Sequence, residues 1–305
     1  MKKRKIYSGE VHHVVQRTQL GGLLFYCIND YLVFFTVFCS QARQKQVEVL
    51  ALCPMPDHIH QVVVARNQDQ LATFIQAYAH LFAGEWNRRR GRKGSLFRHR
   101  YKSSAKMGNK QVRTTLAYCN NNPVERKMTQ TPEDYRWTFL NYYKRPNPYS
   151  PPLNPGQARS YVKTVLREID NCFQCGSYLR YSQLERWEKH LSALEWQQLT
   201  DYIIGLWNII DYEQAISYYG SFETMVRAFH DNTGSEYEIK EDRDNYSDTV
   251  YADITHILLT DGFVKHPLEI LSLPDGRKRE LFTYLQPRTS ARPKQILKYL
   301  HLADI

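Results

Sequence analysis

At 305 residues the chain is long enough for a sizeable core and for more than one domain, and 13% aromatic residues exclude a disordered or fibrous polypeptide. Its net charge of +10 is unevenly placed: residues 1–150 hold 24 Lys+Arg against 9 Asp+Glu, residues 151–276 hold 10 against 20, and residues 277–305 hold 7 against 2. A basic module, an acidic module and a basic tail point to two nucleic-acid contacts separated by a spacer or regulatory part.

The basic start Met1-Lys2-Lys3-Arg4-Lys5 runs into Tyr-Ser-Gly-Glu rather than an apolar stretch, so no secretory signal is expected. Residues 11–18 predict a strand and 28–45 a helix. The apolar run from Leu20 to Cys39 is interrupted by Asn29 and Asp30, which would be costly in lipid, and reads as a strand end plus a buried helix. No membrane contact is expected. Most of the six cysteines lie in apolar runs, which suits core residues with reduced thiols in the cytoplasm.

Strands follow at 47–54 and 57–65. The second carries His58-Ile59-His60. Side chains alternate along a strand, so both imidazoles share one face and Ile59 enters the opposite layer. Two neutral nitrogens on a rigid strand make half of a divalent-metal site with positions open for substrate oxygens. The alternative is an ordinary strand in which one histidine is a satisfied core residue.

A long helix is expected at 68–90. Between 88 and 102, Arg88, Arg89, Arg90, Arg92, Lys93, Arg98, Arg100 and Lys102 place eight basic residues in fifteen positions, with Trp86, Phe97 and Tyr101 interleaved. Cations track phosphates and aromatic faces stack unpaired bases, so this stretch is the candidate DNA-binding segment; a basic loop with no preferred ligand is the other reading. A strand near 98–104 precedes a helix that starts about Gly108 or Asn109 and stops at Pro123. Its apolar stripe is Val112, Leu116 and Cys119. Tyr118 lies off that stripe, on a face with Gln111, Thr114 and Asn122. A tyrosine on the polar face, one turn before a metal-capable amide, can act as a nucleophile; with 22 tyrosines in the chain, a plain surface tyrosine is the alternative. The β-α-β-β-α-β order is that of a ferredoxin-like split unit, an antiparallel sheet covered on one face by helices.

Five prolines within 141–156 predict an extended linker, placed at 146–156. An acidic, helical region covers 157–240, with Trp187, Trp196 and Trp207 supplying bulk. Cys172-x-x-Cys175 has no second Cys/His pair at zinc spacing. In the tail at 241–305, Arg292 to Leu300 reads either as the recognition helix of a helix-turn-helix, with Lys294, Gln295 and Lys298 facing out, or as an ordinary amphipathic helix.

The His-hydrophobe-His strand followed by Tyr118-x-x-x-Asn122-Pro123 resembles the one-tyrosine HUH transposases, in particular the REP-associated tyrosine transposases of bacteria. Val11-His12-His13-Val14-Val15-Gln16-Arg17 is similar to the family's first strand, with Leu24-Phe25-Tyr26 after it, and Gly94-Ser95-Leu96-Phe97-Arg98-His99-Arg100-Tyr101-Lys102-Ser103 to its G-x-L-F-x-x-R-Y/F-K-S segment. These landmarks span residues 7–145. Asp57 stands where the family usually has Asn, and Gln61 where an aliphatic residue is common. The resemblance implies an α+β, ferredoxin-like HUH domain in residues 1–145, followed by the mainly helical C-terminal region; because the proline-rich linker separates the two, a chain ending near residue 148 is expected to fold and to retain metal-dependent cleavage. It implies that His58, His60 and Asn122 hold Mg²⁺ or Mn²⁺. Tyr118 would then cleave single-stranded or hairpin DNA through a 5′-phosphotyrosine, leaving a 3′-OH that permits strand transfer. A homodimer is among the assemblies it admits. The rivals are a replication initiator or relaxase using the same chemistry, and a non-catalytic DNA-binding regulator derived from a transposase.

Overall fold

The computed structural model describes residues 9–19, 21–98, 101–231 and 246–302. Within residues 11–125 the described residues build one sheet with helices on both sides. Strands β1 (Val11–Arg17), β2 (Glu48–Met55), β3 (His58–Val64) and β4 (Lys102–Lys106) are ordered β2-β3-β1-β4, every neighbour antiparallel. This is the expected split β-α-β arrangement. Helices α1 (Ile28–Lys45) and α2 (Gln68–Arg89) cover one face, where Gln61 of β3 donates to Tyr78 of α2 at 2.5 Å. Helix α3 (Gly108–Glu125) covers the other, so the sheet is a central layer rather than one with a bare face.

Local chemistry sets the boundaries. Helix α1 is apolar over most of its circumference and is buried from Leu32 to Ala42; it ends where Gln46 takes a left-handed conformation (φ 53°). Asn67 caps α2 by accepting from the Gln70 amide at 2.8 Å. Met55 pairs with His58, so Pro56 and Asp57 alone form the hairpin loop, which pins the register of the histidines. The last strand begins later than expected. Phe97 bridges Thr18 and the Arg98 amide donates to the Arg17 carbonyl, extending the end of β1 before the chain rejoins the sheet at Lys102. Pro123 does not stop α3. Near a helix end its missing N–H removes one hydrogen bond, and the Arg126 amide still reaches the Asn122 carbonyl at 3.0 Å.

Beyond short 3₁₀ turns at 132–143 come α4 (Ser160–Gln174), α5 (Tyr181–Glu188), α6 (Ala193–Trp207), α7 (Tyr212–Ser217) and α8 (Phe222–Asp231). Their apolar faces join the core of the sheet domain in one continuous cluster that runs from Val11 to Phe229 and also takes in Leu271. The proline-rich stretch is held down along this route. Tyr149 N and Ser150 Oγ donate to Asp201, and Tyr149 Oη donates to the Glu133 carbonyl. Helices α9 (Val250–Thr260), α10 (Asp275–Leu285) and α11 (Pro293–Leu300) form a second, smaller core that also takes in Leu23. The expected boundary at 240–241 lies outside the described residues.

Candidate active site

The pleat puts His58 and His60 on the α3 face of β3, and the register sets Arg17 and Val15 of β1 opposite them. Both imidazoles are fully buried, with ring centroids 4.7 Å apart. Each ring is held through Nδ1: His58 by Asp57 Oδ1 at 2.6 Å, His60 by His13 Nε2 at 3.1 Å. His13 stacks on His60 at 5.4 Å. Coordination of a metal would therefore fall to the two Nε2 atoms, with the opposite nitrogen of each ring fixed by a neighbour, as metal-ligating histidines require.

Tyr118 comes down onto this cluster from α3. Its ring stands edge-on to His60 at 5.5 Å and to His13 at 5.7 Å. It is buried, which sets aside the alternative of a plain surface tyrosine. The reason is that the second half of α3, from Thr115 to Pro123, is enclosed on all sides, so the polar stripe faces a polar interior instead of solvent. Asn122 lies one turn further along the same face, also buried, and its Nδ2 donates to the Tyr118 carbonyl at 2.8 Å, leaving the amide oxygen as the candidate ligand atom.

Electrostatics favour neutral, ligand-competent imidazole at His60. Burial first, then the neighbouring His58, His13, Arg17 and Arg126, hold its pKa well below the usual value. Burial alone would raise Asp57, but His58 and Lys298 outweigh it and keep the carboxyl well below the usual range. Lys298 arrives from α11: its Nζ lies 2.6 Å from Asp57 Oδ2. Asp248 stands near by, pushed up to about 7 by burial and then by the charge of Asp57.

The donor chemistry fits a divalent ion of the Mg²⁺ or Mn²⁺ type: two imidazoles and an amide oxygen leave room for phosphate and water oxygens. Among the described residues no group of three His, Cys, Asp or Glu side chains offers a metal site, and the Asn122 amide oxygen is a candidate third ligand of another type. Cys172 lies near the Tyr178 carbonyl (3.3 Å) and Cys175 is exposed; both are free thiols.

The basic segment divides. Arg88 is 70% exposed although bonded to Glu85, and Lys93, Arg98 and Lys102 are exposed. Arg89 pairs with Glu185, and Arg92 donates to His301 Nδ1 at 3.0 Å. Arg90 does not face outward at all: it is 1% exposed, bonded to Asp30 at 2.6 Å and laid over Trp86 at 4.0 Å. Arg100 lies outside the described residues. Trp86 and Phe97 are buried too, and the Trp86 indole donates to the Leu24 carbonyl at 3.0 Å, so neither offers a face to a base. The expected outward row on α11 is also corrected. Lys294 is exposed, but Gln295 is buried and donates to the Ser247 carbonyl, while Lys298 is spent on Asp57.

The sequence reading missed three members of this site. His13 could have been found from strand alternation, since it falls two residues before Val15, the partner of His60. Asp57 was visible as a carboxylate beside the pair but was weighed only as a departure. Lys298, 241 residues away from Asp57, carried no local signal. A cavity of about 610 Å³ lies against the α2 face and is lined by Gln16, His80, Asn87, Phe97 and Arg98. It is on the side of the sheet away from the histidines.

Residues 11–122 match the family model described as transposase, IS200 like. No curated protein matches. Among solved structures, the chain is similar to a REP-associated tyrosine transposase bound to a REP hairpin. That match is 17% identical and covers 48% of this chain and 86% of that one, with a TM-score of 0.41.

Proposed function

We propose that this chain, whose residues 11–122 match the IS200-like transposase model, is a metal-dependent single-stranded DNA nickase and strand transferase acting on hairpin-containing DNA. One observation carries the reading: Tyr118 stands edge-on to His60 and His13, so a phenol and metal-capable imidazoles are delivered to one point by separate elements of the fold.

In this reading His58, His60 and Asn122 hold Mg²⁺ or Mn²⁺. When bound there, the ion polarises the scissile phosphate and offsets charge developing on its oxygens. Asp57 and His13 keep the two rings in the ligating orientation. Tyr118 Oη attacks phosphorus. An O–P bond to tyrosine forms, the bond to the 3′ oxygen breaks, the phenol proton is released and the departing oxygen takes one up. Phosphodiester energy is retained in the phosphotyrosine, so attack by another 3′-OH rejoins strands. Arg88, Lys93, Arg98 and Lys102 supply exposed charge for the phosphates.

The test is a denaturing gel on end-labelled hairpin DNA with Mn²⁺. Wild-type protein should give a slow covalent band, abolished by chelator and by Tyr118→Phe, with binding retained. Asn122→Ala should keep a fraction of the rate at high Mn²⁺, because an amide is a modest ligand. A covalent band that persists in Tyr118→Phe, or full activity in excess chelator, overturns the proposal.

A further inference from the structure

We propose that Lys298, from the last helix of the chain, is a positioning residue for His58, so that a competent metal site forms only when α11 is docked against the β2–β3 hairpin. This rests on the reading of His58 as a metal ligand.

The argument starts at Asp57. Its carboxylate is 6% exposed and divides its two oxygens: Oδ1 takes His58 Nδ1 at 2.6 Å, and Oδ2 takes Lys298 Nζ at 2.6 Å. A buried carboxylate with one partner can rotate about its Cβ–Cγ bond and carries uncompensated charge. With the second oxygen fixed by an ammonium, the plane of the carboxylate is set, and so is the direction in which His58 presents its other nitrogen. Groups that orient a ligating imidazole in this way govern metal affinity. Backbone stiffness supports the same end, because Asp57 sits in a two-residue hairpin loop.

Lys298 is itself held in place. Helix α11 buries Ile296, Leu297, Tyr299 and Leu300, so its register is fixed by the small C-terminal core. The Tyr26 hydroxyl donates to the Tyr299 carbonyl at 2.8 Å, and His301 Nε2 donates to the Leu23 carbonyl at 3.1 Å. The fit is close: a Cβ on Gly22 would lie 2.4 Å from the His301 ring. Thus the loop after β1 receives the end of α11, and α11 hands Lys298 to the loop before β3. A cation from one end of the chain completes a ligand shell at the other, and any event that lifts α11 loosens His58.

The test uses the full chain and Mn²⁺ alone, with free Mn²⁺ followed by electron paramagnetic resonance, beside thermal melts. His58→Ala should abolish specific Mn²⁺ binding. Lys298→Met and Lys298→Gln should weaken it by roughly tenfold or more, the range for loss of a group that orients a ligand. Lys298→Arg, which keeps the charge, should restore most of the affinity. Lys298→Gln leaves the Asp57 charge without its cation and should lower the melting temperature, whereas Lys298→Arg should leave it nearly unchanged; Mn²⁺ binding is therefore read well below each variant's melt, where a loss of affinity in Gln reports orientation rather than unfolding, and Gln answers for Met if Met does not fold. Wild-type affinity in Lys298→Gln, with binding lost in His58→Ala, overturns the positioning role while leaving the metal reading intact. Unchanged Mn²⁺ binding in His58→Ala overturns both, and does so in a separate arm of the experiment.

Discussion

Arg90→Ala separates a structural role from a DNA-binding one at the centre of the basic segment. Arg90 Nη2 is 2.6 Å from Asp30 Oδ1, which also accepts from the Tyr181 hydroxyl at 2.6 Å, while Oδ2 accepts from the Tyr26 amide at 2.7 Å. Burial opposes the charge of Arg90, but Asp30, ahead of Tyr181, outweighs it and holds the guanidinium firmly protonated. Removing the side chain leaves the Asp30 charge fully buried and without its cation. Breaking a buried pair in this way costs roughly 3–5 kcal/mol, a large part of a total stability of about 5–15 kcal/mol. For a chain of this length, with unfolding entropy near 2.1 cal/mol/K per residue, the melting temperature should fall by roughly 5–8 °C. The assay is a thermal melt of Arg90→Ala beside Arg88→Ala, whose target is 70% exposed and should melt within a degree or two of wild type. Single-strand binding measured well below the melt should respond in the opposite order. A variant Arg90→Ala that melts like wild type but binds DNA weakly would refute the reasoning and return Arg90 to the DNA surface.

Neutralising the exposed Arg88, Lys93 and Arg98 together should flatten the salt dependence of single-strand binding, by about 0.7 in log–log slope for each phosphate left without its cation; an unchanged slope means this surface faces away from DNA. His301 is pushed down to about 3 by burial and then by Arg92, against a small rise from its bond to Leu23, with Lys278 and Arg90 adding to the depression. The folded state therefore keeps it neutral while the unfolded chain takes up a proton near pH 6.5. Its contribution is intact above that pH and declines as pH falls from 6.5 towards 3. The melting temperature of His301→Gln should accordingly lose less than wild type between pH 7 and 5, and parallel profiles would refute this. Cutting the chain after residue 148 should give insoluble protein, because α1 loses α5 and α6, and Ser40 loses the Trp207 indole. A soluble, cooperatively melting truncation would show that the shared core is dispensable.

The sheet domain was largely legible because its signals are local. Strand alternation placed both histidines on one face, turn residues bounded β2 and β3, and helical spacing put Tyr118 with Asn122. What misled was the inference from polarity to exposure. Gln295 and Arg90 are polar, yet both are buried, each bonded to a partner from a distant segment: the Ser247 carbonyl and Asp30. Periodicity reports which residues share a face and says nothing of what covers that face. The same limit applies to the five prolines that predict an extended linker over residues 146–156. Composition cannot show that Asp201 will fasten Tyr149 and Ser150.

This changes what the C-terminal half is in physical terms. Charge blocks alone suggested a basic catalytic module, an acidic spacer and a separate basic reader. In the fold, those charges meet as pairs that cross the blocks. Arg89 joins Glu185, Lys144 joins Glu223, and Lys298 joins Asp57 beside the histidine pair. Exposed pairs such as Lys144–Glu223 add little stability, but they leave less of the basic surface for non-specific phosphate binding. The buried one is different in kind. Asp57 carries its charge out of water against two partners, the adjacent His58 and the distant Lys298, so α11 cannot be moved without leaving that charge short of its cation in a low-dielectric interior. The acidic helices and the basic tail thus belong to the same machine as the candidate nucleophile: one supplies the wall of its core, the other the last cation of its site.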